Sequence, residues 1–184
     1  MRAWQRLAVA SRTPRNKSCG NRKNIEAPLA GRLLFAHVNT MSATDLERAV
    51  EEIAEDFAML SDWEERYGHV LELGRTLAPL SQDERNDKNK VRGCASQVWL
   101  VTEAGSAPER LAFRGDSDAH IVRGLVAVLL RIFSDRTPAE ILAADPKAIF
   151  ARLGLADSLS PQRSNGLASM VARIKADARQ VLAA

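Results

Sequence analysis

The apolar periodicity of the chain switches once from helical to strand-like and back, and that order limits the fold more than any other feature. After Met41, "TDLE" offers a capping box, Thr44 with Glu47, and Leu46, Val50, Ile53, Phe57 and Leu60 recur at spacings of three and four. "SDWE" repeats the device with Ser61 and Glu64, and Trp63, Tyr67, Val70 and Leu71 mark one face of a second helix ending near Gly74. The stretch "SQDERNDKNK" holds no apolar residue and predicts an exposed loop. Then "SQVWLVTEA" and "RLAFRG", separated by the turn "GSAPE", predict an antiparallel hairpin. "DSDAHIVRGLVAVLLRIF" returns to helical period with a broad apolar stripe, its leading acids suiting a helix N-terminus. Thr137-Pro138, Asp145-Pro146 and Ser160-Pro161 signal further helix starts, the last opening a helix from Pro161 to about Val181 with Leu167, Val171, Ile174 and Ala178 on one face. Two helices, two strands and several helices predict an α+β domain, a small antiparallel sheet packed against helices.

Charge divides the chain. Residues 1–40 carry eight Lys and Arg against one acid, Glu26, or +7; the remaining 18 basic and 22 acidic residues give residues 41–184 a net −4. The body therefore has little electrostatic footprint for DNA or RNA, and no nucleic-acid partner is expected. No apolar run approaches the length of a membrane span, so no membrane partner is expected either. Residues 1–40 lack the apolar core of a secretory signal. They are expected to be a basic disordered extension upstream of a natural start at Met41, with residues 41–184 as the domain and a cytoplasmic location; the alternative is an organellar presequence. The two cysteines, Cys19 and Cys94, are too few for a disulfide framework.

Chemistry must then come from Cys94 or from nothing obvious. The chain has no G-x-S-x-G, no P-loop, no G-x-G-x-x-G, and its histidines, His37, His69 and His120, stand at no metal-ligand spacing. In "KNKVRGCASQVW", Lys88, Lys90 and Arg92 supply positive charge that would lower a thiol pKa, and Gly93 lets the backbone bend at the cysteine. No neighbouring residue offers a general base. On these residues alone, Cys94 is either a nucleophile or a small hydrophobe at a strand start.

The stretch "VRGCASQVW" resembles the active-cysteine motif of the SufE family of sulfur-acceptor proteins. The resemblance continues through "WEERYGHVLELG", "GDSDAHIVRGLVA" and "LSPQRSNGLASM", four blocks in order over about residues 45–180, leaving residues 1–40 outside it. It implies the α+β fold shared with iron–sulfur scaffold proteins of the IscU type. It also implies transpersulfuration: Cys94 takes sulfur from a cysteine desulfurase of the SufS or CsdA type, stimulates it, and relays the sulfur to a scaffold complex of the SufBCD type. Pyridoxal phosphate belongs to that desulfurase, so no cofactor or metal is expected on this chain. One thiol, accessible and partly ionised, suffices for such an exchange.

By the same resemblance Arg92, Gly93, Gln97, Asp116 and Arg163 are candidates for supporting the loop, the thiolate or the partner interface. Gly93 would be the hinge of a loop that shelters Cys94 and swings out on the partner. Asp116 and Asp118 would contact the cysteine loop or cap the following helix; Arg163 would stabilise a thiolate or sit solvated in a first helical turn. Trp99 is expected in the core and His120 at a helix surface. The rival functions are a non-catalytic desulfurase-binding module and a single-thiol redox protein.

Overall fold

The structure, a computed structural model of the chain, describes residues 44–155 and 159–183; the expectations for residues 1–40 and for a start at Met41 lie outside them. In order come α1 (Asp45–Ala58), α2 (Trp63–Thr76), β1 (Val98–Ala104), β2 (Leu111–Ser117), α3 (His120–Phe133), α4 (Pro138–Ala143), α5 (Pro146–Arg152) and α6 (Pro161–Ala183). The fold is α+β, a small antiparallel sheet covered by helices.

Local chemistry sets most helix starts. Thr44 accepts from the Glu47 amide at 3.2 Å while the Glu47 carboxylate accepts from the Thr44 amide at 2.8 Å, and Thr137 with Glu140 opens α4 in the same way. The Asp145 carboxylate accepts from the Lys147 amide at 3.0 Å to open α5. At α2 the cap lies one residue beyond the expected Ser61: the Asp62 carboxylate accepts from the Glu65 amide at 2.9 Å, and Ser61 stands outside with its amide on the Glu65 carboxylate. "SDWEE" holds two overlapping boxes, and the aspartate takes the helix.

The start of α3 departs further from expectation. Its N-cap is Ala119, with no side-chain cap, because β2 runs on to Ser117 and draws Asp116 into the sheet. Neither Asp116 nor Asp118 caps the helix.

Helix α3 is apolar on nearly every side because it is enclosed. Val126, Val128, Leu129, Ile132 and Phe133 have no exposed surface, each contributing roughly 1.5–3 kcal/mol by burial. It lies between α2 and β2 and touches α1 and α6. Its crossing with α2 is backbone on backbone: a Cβ on Gly124 would sit 2.1 Å from the Val70 carbonyl oxygen, and one on Gly74 2.8 Å from the Gly124 amide. Any larger residue at Gly124 would force the helices apart.

The strands pair with Val98 opposite Ser117, Leu100 opposite Gly115 and Thr102 opposite Phe113, so Val98, Leu100, Leu111 and Phe113 share the buried face. The polar stretch before Cys94 is not loop to its end. Lys90 bridges Trp99, with the Val91 amide on the Val98 carbonyl and the Leu100 amide on the Asn89 carbonyl, both at 2.8 Å. Residues 89–91 thus line the second edge of β1, a pairing hidden in the sequence by the polarity of Asn89 and Lys90.

Candidate functional site

That short pairing defines the loop bearing Cys94. Residues 92–97 connect segment 89–91 to β1, so the cysteine sits near the tip of a tight hairpin whose two legs are hydrogen-bonded together. The second leg is fixed again where the Gln97 amide donates to the Asp118 carboxylate at 2.9 Å and the Ser117 hydroxyl to the Gln97 carbonyl at 2.8 Å. The first leg is held by Arg173 of α6, which donates to the Lys88 carbonyl at 3.1 Å, and by the Asn89 amide side chain on the Glu84 carbonyl at 2.8 Å.

The tip leans on α6. Gly93 has φ 90°, a conformation that favours glycine, and a Cβ there would meet the Ser169 Oγ at 2.6 Å. Cys94 is half-buried, its Sγ 3.5 Å from the Gly166 carbonyl oxygen as a weak donor, and it packs against the core cluster. Beside it opens a cavity of about 380 Å³ walled by Ile121, Val122 and Leu125 of α3 and by Arg163, Gly166 and Met170 of α6.

Burial pushes the Cys94 thiol pKa up, since charging a sulfur in apolar surroundings is unfavourable. The expected lowering by local cations is overturned in this conformation. Arg92 points to solvent with its side chain 79% exposed, its nearest acid being Asp87 at 3.8 Å, and the Cys94 thiol is instead dominated by desolvation. Among the described residues lining the cavity, Arg163 alone carries charge.

The structure brings Arg92, Gly93 and Gln97 together with Cys94 in one loop and Arg163 to its cavity; Asp116 stands elsewhere. Its carboxylate has no exposed surface and accepts from the Leu80 amide at 3.1 Å and Arg85 at 2.7 Å, with Arg123 3.5 Å away. Arg85 in turn lies over the half-buried Trp99 ring, 5.8 Å from its centroid. Asp116 is therefore the buried anchor of the segment after α2, and it is Asp118 that touches the cysteine loop. His120 is exposed on the first turn of α3.

Sequence reasoning missed Gly166, Ser169 and Arg173. Their spacing of three and four on α6 was a signal for one shared helix face, masked by the apolar residues between them. Among the described residues no group of three or more His, Cys, Asp or Glu side chains converges as a metal site would require.

Comparison with known proteins bears on what such a loop serves. The family model described as "SufE: Fe-S metabolism associated domain" matches residues 51–178. An uncharacterized SufE-like protein of Rhizobium etli is 52% identical over 133 residues, covering 71% of this chain and 90% of its own length. Another from Rhizobium meliloti is 52% identical over 132 residues, covering 71% and 94%. The solution structure of a hypothetical protein from Thermus thermophilus superposes with a TM-score of 0.61 at 19% identity, over 74% of this chain and 97% of that one, and so shares the fold.

Proposed function

The chain belongs to the SufE family, whose role lies in iron–sulfur metabolism, and from that premise we propose that Cys94 is a sulfur acceptor. In this reading a partner cysteine desulfurase presents a persulfide. The Cys94 thiolate attacks its outer sulfur, a bond forms between the two sulfurs, the bond to the partner's cysteine breaks, and that cysteine leaves as thiolate. Electrons balance without an outside oxidant or reductant, because one disulfide-type bond replaces another. A thiolate of the iron–sulfur scaffold complex would repeat the exchange and take the sulfur on.

The observation that carries this reading is a single thiol at the tip of a hairpin anchored at both legs, with Gly93 beside it at φ 90°, tucked over an apolar cavity. Tucked in, the thiol is protonated and shielded, so stray electrophiles find a poor nucleophile. Release of the tip from α6 would expose the sulfur and remove the desolvation that keeps it neutral. Arg163, at the cavity wall, would supply counter-charge to a persulfide folded back in, and Arg92 and Gln97, exposed on the loop, would face the desulfurase. Reducing surroundings such as the cytoplasm suit a free reactive thiol.

The test is the intact mass of the protein after incubation with a cysteine desulfurase and L-cysteine, with Cys94→Ser alongside. Gain of one sulfur atom, reversed by reductant and absent from the variant, is the expected result. No gain with a competent desulfurase that still binds the chain would overturn it in favour of a binding module.

A further inference from the structure

Helix α6 presents two opposite faces. Gly166, Ser169 and Met170 meet the cysteine loop and its cavity. Roughly half a turn round the helix, Ala168, Val171, Ala172 and Lys175 line a second hollow of about 740 Å³, floored by Phe150 of α5 and by Leu155 and Leu167. The groove follows α6 from Ser164 to Arg179, about 22 Å at the helical rise, which matches a helix of about four turns.

Its rim is cationic. Among the described residues that line it, Lys147, Lys175 and Arg179 stand against one acid, Asp145, whose carboxylate is engaged as the N-cap of α5. Lys175 donates to the Leu142 and Ala144 carbonyls at 3.1 and 2.6 Å, whereas Lys147 and Arg179 have no side-chain partner among the described residues and lie exposed. Many arginines elsewhere are paired, such as Arg114 with Glu84 and Glu103 and Arg131 with Asp56. An apolar trough with uncompensated positive charge on its lips fits a helix with an apolar stripe and acidic flanks.

We propose that this groove docks an acidic amphipathic helix of a partner protein, on the face of α6 turned away from Cys94. Residues 1–40 carry +7 and would meet like charge there. A two-fold dimer through the groove would set the same cations against each other. A partner seated here leaves the cysteine loop free, so both faces of α6 can be occupied at once. The inference stands on charge and shape alone and does not rest on sulfur transfer.

The experiment titrates the full chain, labelled for NMR, with a synthetic amphipathic helix of about 16 residues bearing Leu on one face and Glu on its flanks, and with its Lys-flanked counterpart. The Glu peptide is expected to shift Phe150, Leu167 and Val171, to bind about five- to tenfold tighter than the Lys peptide, and to leave the Cys94 alkylation rate unchanged. Lys147→Glu with Arg179→Glu, both exposed positions, should reverse the preference, and Ala172→Glu should abolish binding of the Glu peptide. Four results would overturn the proposal: no shifts; equal affinity for both peptides; a dimer in sedimentation that buries these residues; or broadening of the groove resonances by a spin label on Cys19 in the Cys94→Ser chain.

Discussion

Gly93 and Ser169 stand so close that a single added methyl at position 93 would come within 2.6 Å of the serine oxygen. The loop tip thus lies close against α6, with the cysteine in its sheltered position beside it. Gly93→Ala adds both the clash and roughly 1–2 kcal/mol of backbone strain at a φ of 90°. The loop is expected to lift, and Cys94 in the free protein should react several-fold faster with iodoacetamide. Ser169→Gly in the same chain removes the clash and should recover part of the protection. An alkylation rate equal to that of the unaltered chain would contradict this account of the tip.

The raised Cys94 pKa gives a second prediction. The alkylation rate of the free protein should rise with pH to a midpoint above the usual thiol range, and binding of the desulfurase should bring the midpoint down. The stability effect has a definite sign. A thiol whose folded pKa is raised contributes stability fully present below its unfolded pKa and lost as pH climbs through the folded one. Urea unfolding should therefore show the chain losing ground to Cys94→Ser on the alkaline side, and parallel pH profiles would count against burial as the cause.

Asp116 is a structural anchor, and its removal should be felt in stability. Asp116→Ala leaves Arg85 and Arg123 without their shared carboxylate and the Leu80 amide without its acceptor. A loss of about 3 kcal/mol is expected in urea unfolding, the scale of breaking a buried pair from one side. Sulfur acceptance per folded molecule should change little. A stability loss under about 1 kcal/mol would mean that water or another group replaces the carboxylate.

Glu84 should titrate far below an ordinary glutamate, near the 2 to which its bond from Arg114 and those from the Ser81 amide and hydroxyl lower it. A depressed carboxyl contributes stability that is present above its usual 4.5 and lost as pH falls toward about 2. Carbon-detected NMR titration reads the value directly. Glu84→Gln should flatten the acid limb of the stability profile, and a midpoint near 4.5 would show that Arg114 does not hold it.

The element order, the capping box at Thr44, the helix start at Thr137-Pro138 and the two strands were legible because each rests on neighbours in sequence. What depended on distant residues was not. Asp116 looks like a helix-leading acid until Arg85, 31 positions earlier, is folded onto it. Asn89 and Lys90 look like loop until β1 offers its second edge. Cys94 itself stood out, and a loop that shelters it was expected, but what covers it was not legible: adjacent basic residues suggested a lowered thiol pKa, while the fold turns Arg92 outward and the sulfur against α6. Adjacency in sequence sets local conformation, but the dielectric around a group is set by whatever packs over it.

The anchoring of both hairpin legs also sets a tether length. Val91 is bonded to Val98, and Cys94 is three residues beyond the first of these and four short of the second. With those anchors intact the Cys94 backbone reaches no more than about 10 Å from the sheet edge even with the loop fully drawn out, and the sulfur only a short side chain further. A partner that exchanged sulfur with this thiol would therefore have to dock at this edge of the sheet and carry its own reactive atom most of the way.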